Sequence, residues 1–147
     1  MNPYQINEGG NVMQHITLME AYAIETLRSS GYSNETILEK VRNDEMTDFK
    51  SADSSMDYSG LRMLESGNFL GNILEEGYQV KFLTINGLTN LIRMKYGKKQ
   101  DDDYRLEDFT VSELQLGDTD VEVLGNLLSS NWEMKWTDKG VTIFPAG

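Results

Sequence analysis

Residues 78–96, with the sequence YQVKFLTINGLTNLIRMKY, decide the fold predicted for this chain. Asn86-Gly87 lies at the centre, and this dipeptide favours a type I′ turn because both central residues of that turn need a positive φ. β-Branched and aromatic residues are frequent on both sides of it, as is typical of strands. The segment therefore predicts a β-hairpin, and a two-residue turn would place Phe82 opposite Leu91.

A helix is the alternative interpretation of the second half of this segment. Ile85, Leu88, Leu91 and Ile92 fit the spacing i, i+3, i+6, i+7, which places them on one helix face. That spacing would suit a helix from Leu88 to Tyr96. The hairpin is preferred here because Asn-Gly is the strongest short-range turn signal.

The same part of the chain is basic, whereas the rest is acidic. The 147 residues include 24 Asp and Glu against 13 Lys and Arg, so the net charge is −11 at pH 7. Residues 78–99 contain no acid and five cations, which are Lys81, Arg93, Lys95, Lys98 and Lys99. Residues 100–147 contain 11 acids and 3 bases. This balance argues against non-specific binding to nucleic acid or to an anionic membrane.

Length and composition indicate one globular domain over residues 1–147. A hydrophobic content of 39% is enough to form a core. The chain has no cysteine, which excludes disulfides, thiolate metal sites and cysteine nucleophiles. It shows no signal peptide and no stretch of the ~20 apolar residues that a membrane span needs. We expect a cytoplasmic protein without a membrane partner.

Capping motifs predict a helical hairpin over residues 17–44. Thr17 and Glu20 have the spacing of a capping box, Gly31 suits a C-cap, and Ser33 suits the N-cap of a second helix. In outline the segment resembles helix-turn-helix segments and small ubiquitin-associated-type hairpins. The first resemblance implies DNA recognition, and the second implies contact with another protein.

The remaining segments complete a predicted α+β fold. Residues 1–14 have no hydrophobic period and predict a loose arm. Residues 119–144 predict a helix and then a β-hairpin, because Thr119 and Glu122 form a capping box and an alternating WEMKW run follows. A similar capping pattern predicts a short helix over residues 110–117. The expected order is an N-terminal helical hairpin, the central β-hairpin, and the C-terminal helix followed by a β-hairpin.

Sequence motifs for catalysis and cofactor binding are absent. The chain has no Gly-x-Ser-x-Gly elbow, phosphate-binding loop or dinucleotide fingerprint, and His15 is its single histidine. Asp53 and Ser55 resemble the start of an EF-hand loop, but Tyr58 occupies the position that needs glycine. We therefore expect no catalytic residue, cofactor or metal. A carboxylate-based hydrolase stays an alternative, because paired carboxylates can act as acid and base.

A helix-turn-helix transcription regulator is the second function class. The second helix of the 17–44 segment offers Asn34, Lys40 and Arg42 for contacts with bases and phosphates. The same region carries four acids, which are Glu35, Glu39, Asp44 and Glu45. These acids would repel DNA, so we expect the helical hairpin to pack within the fold or on a protein.

The favoured function is a small acidic binding protein that acts as a regulator or inhibitor by docking on another macromolecule. Its acids could imitate nucleic-acid charge and occupy a basic protein surface, and this charge distribution resembles that of small phage-type inhibitors. The predicted partner-binding residues are Asp101, Asp102, Asp103, Glu107, Asp108, Asp118, Asp120, Trp132 and Trp136. In the competing explanation, the cations of residues 78–99 neutralise these acids within the fold.

Overall fold

Helices dominate the first two thirds of the fold, and a sheet follows them. The computed structural model describes residues 13–146. The elements are β1 (His15–Ile16), α1 (Leu18–Ser29), α2 (Asn34–Arg42), a 3₁₀ helix (Met46–Ser51), α3 (Ser59–Ser66), α4 (Leu70–Glu76), β2 (Gln79–Val80), α5 (Ile85–Tyr96), β3 (Arg105–Glu107), β4 (Thr110–Leu114), α6 (Asp118–Leu127), β5 (Trp132–Thr137) and β6 (Gly140–Pro145). The antiparallel sheet has the order β3-β4-β6-β5. The predicted α+β class is confirmed.

The N-terminal helical hairpin is confirmed, including the caps at the start of both helices. The Thr17 side chain accepts a hydrogen bond from the Glu20 N–H, and the Glu20 carboxylate accepts one from the Thr17 N–H. Ser33 caps α2 through the same kind of bond. The C-cap of α1 is Ser30, and the predicted Gly31 is the next residue, with a φ of 99° that favours glycine. The capping bonds satisfy N–H groups that the start of a helix leaves unpaired.

The predicted arm ends in ordered structure. Residues 1–12 of the 1–14 segment lie outside the described part of the chain. Met13 is buried, and the Gln14 carbonyl accepts a hydrogen bond of 2.8 Å from the Gln79 N–H. β1 and β2 then pair in parallel. The end of the arm is therefore fixed to the segment that precedes α5.

The predicted central β-hairpin is wrong, and the alternative helix is correct. α5 contains Asn86 and Gly87 in its first turn and begins three residues earlier than the alternative placed it. Thr84 is the N-cap, and its Oγ1 accepts a hydrogen bond of 3.0 Å from the Gly87 N–H. The buried face of α5 packs against α1. A side-chain cap and a tertiary contact therefore outweigh the turn preference of Asn-Gly.

Gly87 is needed for close packing of two helices. A Cβ atom at this position would lie 2.8 Å from Cδ2 and 3.2 Å from Cδ1 of Leu18, which begins α1. The absence of a side chain lets α5 approach α1 at this point. The hairpin interpretation explained this glycine by a positive φ, which is the other common reason for glycine at a fixed position.

We expect Thr84→Ala to lower the free energy of unfolding by about 1 kcal/mol, because the first turn of α5 loses its cap. Thr84 is exposed, so little packing is lost with its methyl group. Thr84→Ser keeps the hydroxyl and should retain the wild-type stability. Urea denaturation of the three proteins measures this difference. Equal midpoints for the Ala and Ser variants would argue against the helix start at residue 84.

The C-terminal helix and β-hairpin predicted over residues 119–144 are confirmed. α6 begins at Asp118, so Thr119 lies in its first turn, and Gly117 takes the N-cap position without a side-chain bond. β5 and β6 pair from Trp132 opposite Pro145 to Thr137 opposite Gly140. Buried apolar side chains of the helices and of the sheet form one continuous cluster.

The short helix predicted over residues 110–117 is wrong, because residues 110–114 form β4. Val111 and Leu114 of this strand are buried and pair with β6. A β-bulge lies between them, and Glu113 in the bulge has a φ of 60°. A bulge bends a strand and redirects a side chain. Here it directs the Glu113 carboxylate toward cations at the end of the sheet.

Candidate functional site

The acids predicted to face a partner fall into three groups on the surface. The groups are Asp101, Asp102 and Asp103 before β3, Glu107 at the end of β3 with Asp108 in the turn after it, and Asp118 and Asp120 in the first turn of α6. Gln115 lines both a hollow of about 350 Å³ at the first group and a cleft that contains Asp120. Gln115 therefore lies beside the first group and beside the cleft of Asp120. The second group lies at the far end of β3.

These seven carboxylates take part in no ion pair within residues 13–146. The ion pairs found there use Glu25, Asp44, Asp48, Glu65 and Glu113. Asp103 accepts a hydrogen bond of 2.8 Å from the Lys99 backbone N–H and is half-buried, whereas the other six acids are exposed. The ion pairs that would neutralise these acids within the fold are thus not found in the described residues.

The hollow beside the first group contains two cations that are already paired. Arg105 and Lys139 line it together with Asp101, Asp102 and Asp103. Arg105 Nε lies 3.1 Å and Lys139 Nζ 3.8 Å from the Glu113 carboxylate. The bulge in β4 positions Glu113 for both contacts. The three aspartates therefore have no ion-pair partner of their own and lie beside two cations that share the single Glu113 carboxylate.

The two tryptophans differ in what they can contact. Trp132 is only 4% exposed, and its Nε1–H donates a hydrogen bond of 2.6 Å to the Leu83 carbonyl. In this fold its indole belongs to the core, which corrects its prediction as a partner-binding residue. Trp136 is 52% exposed at the other end of β5. Of the two predicted indoles, Trp136 is the one that a partner could reach.

A buried cluster of charged side chains joins α1, α5 and the residue before β2. Glu25 is 2% exposed, and its Oε2 accepts hydrogen bonds from Tyr78 at 2.6 Å, Arg28 at 3.1 Å and Lys95 at 3.2 Å. Sequence reasoning missed this cluster. The available signal was the apolar stripe of α1, which could be continued through either Ile24 or Glu25. A buried carboxylate needs such partners because its desolvation costs several kcal/mol.

Burial shifts the ionisation of the groups around Glu25. It raises the pKa of the Tyr78 hydroxyl well above its usual range, and the neighbouring Glu25 carboxylate adds to this. Burial lowers the pKa of Lys95, whereas the attraction of Glu25 opposes that shift. Tyr78 therefore stays a protonated donor near neutral pH.

A cleft of about 870 Å³ opens beside this cluster. Three cations and two carboxylates line it, which are Arg28, Lys95, Lys98, Glu25 and Asp120. The Glu25 carboxylate accepts hydrogen bonds from three side chains of the fold, so it is poorly placed to act as a free acid or base. The Tyr96 hydroxyl donates a hydrogen bond of 3.2 Å to the Asp120 carbonyl and connects α5 with α6 at this place. We interpret the cluster as a structural connection between helices.

The resemblance of residues 53–64 to a calcium loop has a structural explanation. Asp53 Oδ1 accepts hydrogen bonds from the N–H and the hydroxyl of Ser55, at 2.9 and 2.6 Å. These bonds form a local turn of the kind that Asp often makes. Among residues 13–146, no group of three His, Cys, Asp or Glu side chains could hold a metal ion. Over the same range, no helix is long and apolar enough to cross a membrane.

The side chains that could read DNA from α2 are engaged within the fold. Asn34 accepts a hydrogen bond from Arg28 and donates one of 3.0 Å to the Leu74 carbonyl. Lys40 lies 2.9 Å from the Asp48 carboxylate, and Arg42 forms an ion pair with Glu65. α2 also packs on α3 and α4. These contacts favour a packing role for the helical hairpin.

Comparisons with known proteins returned no family or neighbour for this chain. A scan against family models, a search of curated proteins and a search of solved structures each found no match. Function is therefore inferred from the side chains and their surroundings.

Proposed function

We propose that this protein is a small acidic regulator or inhibitor that docks on a basic surface of another protein. The docking surface consists of Asp101, Asp102 and Asp103 together with Asp118 and Asp120. The observation that carries the proposal is that these carboxylates have no ion pair among the described residues, although the chain has a net charge of −11. Surface ion pairs contribute only ~0–1 kcal/mol each. Fold stability alone thus gives little reason to segregate the charge.

The chemistry of this surface indicates the class of partner. Carboxylates that have no ion-pair partner attract lysine and arginine side chains and raise the rate of encounter. A groove that normally holds nucleic-acid phosphates offers such cations in high density. Occupation of that groove by carboxylates would release counterions in the same way as binding of nucleic acid. We therefore propose a nucleic-acid-binding protein as the partner.

The two alternative functions have less support from the geometry. A helix-turn-helix regulator needs free side chains on α2, and Asn34, Lys40 and Arg42 each have a partner within the fold. A carboxylate hydrolase needs an acid and a base that face a substrate. Of the two carboxylates that line the cleft of about 870 Å³, Glu25 is the more deeply buried, and it already accepts three hydrogen bonds.

Replacement of Asp101, Asp102 and Asp103 by Asn should slow association with the partner by about tenfold or more and flatten its salt dependence, because steering charges act on the on-rate. Asn keeps the oxygen that accepts from Lys99 and tolerates the left-handed φ of Asp101, so stability should change by less than ~1 kcal/mol. The partner would be isolated from a lysate on the immobilised protein at low salt. Surface plasmon resonance then measures the rate at several salt concentrations.

A matched control separates the docking surface from total charge. Replacement of Glu35, Glu39 and Glu45 by Gln changes the net charge by the same amount at three exposed positions in or next to α2. This variant should associate at close to the wild-type rate. Equal slowing by both triple variants, or a wild-type rate for the Asn variant, would contradict the assigned surface.

A further inference from the structure

β5 forms an open edge of the four-stranded sheet. Among residues 13–146, the strand order β3-β4-β6-β5 gives it one neighbour, β6, on one side only. Glu133, Lys135 and Trp136 are exposed, and Met134 is half-buried. An edge strand presents a row of N–H and C=O groups that another strand can bond. This strand is six residues long, whereas β3 at the opposite edge has three.

The pairing with β6 shows which backbone groups face outward. The Asn131 carbonyl accepts a hydrogen bond of 2.9 Å from the Ala146 N–H. In an antiparallel pair such bonds recur at every second residue. Every second residue from Asn131 therefore bonds to β6, whereas Met134 and Trp136 direct their N–H and C=O groups away from it. Pro145 has no N–H and lies opposite Trp132, which agrees with this alternation.

We propose that this edge pairs with β5 of a second copy of the chain, antiparallel and with Met134 opposite Met134. Only residues whose N–H and C=O groups point away from β6 can bond across this pair. The two strands can therefore align in only a few registers. In the proposed register, Glu133 of each copy lies opposite Lys135 of the other. The next allowed register in one direction places Glu133 opposite Glu133, and the next allowed register in the other direction places Lys135 opposite Lys135. Opposite charges across strands stabilise a pair and like charges destabilise it, so charge selects the register.

The same register covers the exposed indole at the end of β5. Trp136 lies opposite Val141 in the sheet and so shares the face that packs on the core. In the proposed pair, Trp136 of one copy lies opposite Trp132 of the other on that same face. Its side chain, which is 52% exposed in a single copy, would then pack against a second chain. Tryptophans of this kind are typical anchors of interfaces.

The net charge of each copy works against this pairing and gives it a distinctive salt dependence. Two chains of charge −11 repel each other at long range. Salt screens that repulsion, with a Debye length of ~8 Å at physiological ionic strength. Self-association should therefore strengthen as salt rises, whereas docking on a basic partner should weaken. The two proposals are independent, and their failures are distinguishable by this sign.

The proposal can be tested by charge exchange across the strand pair. Sedimentation velocity on the full chain, from ~10 µM to ~1 mM, should show a dimer that increases with salt. Glu133→Lys alone places lysines opposite each other, and Lys135→Glu alone places glutamates opposite each other, so each variant should be monomeric. An equimolar mixture of the two variants restores both opposite-charge pairs and should form a heterodimer. That restoration also shows that both variants are folded.

Charge-matched controls lie in the turn of the same hairpin. Asp138→Lys and Lys139→Glu change the net charge by the same amounts at exposed positions that have no place in the proposed register. Both should dimerise like the wild type. A wild-type monomer at all concentrations, single variants that still dimerise, a mixture that stays monomeric, or equal losses in the controls would each overturn the proposal.

Discussion

Replacement of Glu25 by leucine should lower the free energy of unfolding by about 3–5 kcal/mol, because it leaves a buried cation without its partner. Lys95 Nζ lies 3.2 Å from the Glu25 carboxylate, and its side chain is 13% exposed. The buried Tyr78 hydroxyl loses its acceptor as well. Urea denaturation at pH 7, followed by tryptophan fluorescence, gives the unfolding free energy.

A second substitution tests whether the stranded cation causes that loss. Lys95→Met in the Glu25→Leu protein removes the unpaired charge and should recover a large part of the stability, since apolar replacements of a buried pair are often close to neutral. Arg28 keeps its hydrogen bond of 2.8 Å to the Leu74 carbonyl in both variants. A loss below ~1 kcal/mol for Glu25→Leu alone would show that the cluster contributes little to the stability of the fold.

Trp132→Ala should cost about 3–5 kcal/mol, because it leaves a cavity in the core. Trp132→Phe should cost about 1–2 kcal/mol, since a six-membered aromatic ring still fills most of the site and the indole N–H donor is lost. The Leu83 carbonyl would still accept a hydrogen bond of 3.1 Å from Asn131. Trp136→Ala, at the exposed position of the same strand, should cost less than ~1 kcal/mol in dilute protein. Urea denaturation measures all three, and equal losses at 132 and 136 would contradict the burial of Trp132.

The parts of the fold that depend on local sequence were predictable. Thr17, Glu20 and Ser33 make hydrogen bonds with backbone groups up to three residues away, so their spacing alone placed α1 and α2. The hairpin of β5 and β6 also follows from the alternation in residues 132–136 and a turn at Gly140. In these segments, local preference and tertiary packing favour the same structure.

The central error has one local and one tertiary cause. The dipeptide Asn86-Gly87 favours a type I′ turn when it is considered alone. In the fold, the Thr84 cap and the close approach of Gly87 to Leu18 favour a helix. β3 was missed because it is three residues long and has no buried residue that would mark a strand. The capping pattern of residues 110–113 then suggested a helix over residues that in fact form the strand β4.

The candidate site was predictable only where exposure follows from charge. The aspartates at 101–103 are adjacent in a polar loop, and sequence alone indicated a charged surface there. The Glu25 cluster joins residues that lie 53 and 70 positions apart, which no local pattern reveals. Trp132 and Trp136 lie on the same side of one strand, so alternation could not distinguish the buried indole from the exposed one.

Competition with DNA tests the docking surface most directly. The partner is bound to a resin of double-stranded DNA at ~0.1 M salt, where phosphate contacts are strong, and this protein is then added. If its carboxylates occupy the phosphate-binding surface, wild-type protein and the control altered at Glu35, Glu39 and Glu45 should release the partner. The Asn variant of residues 101–103 should need about tenfold more protein. Retention of the partner as a ternary complex on the DNA, or equal release by the Asn variant, would contradict the proposed function.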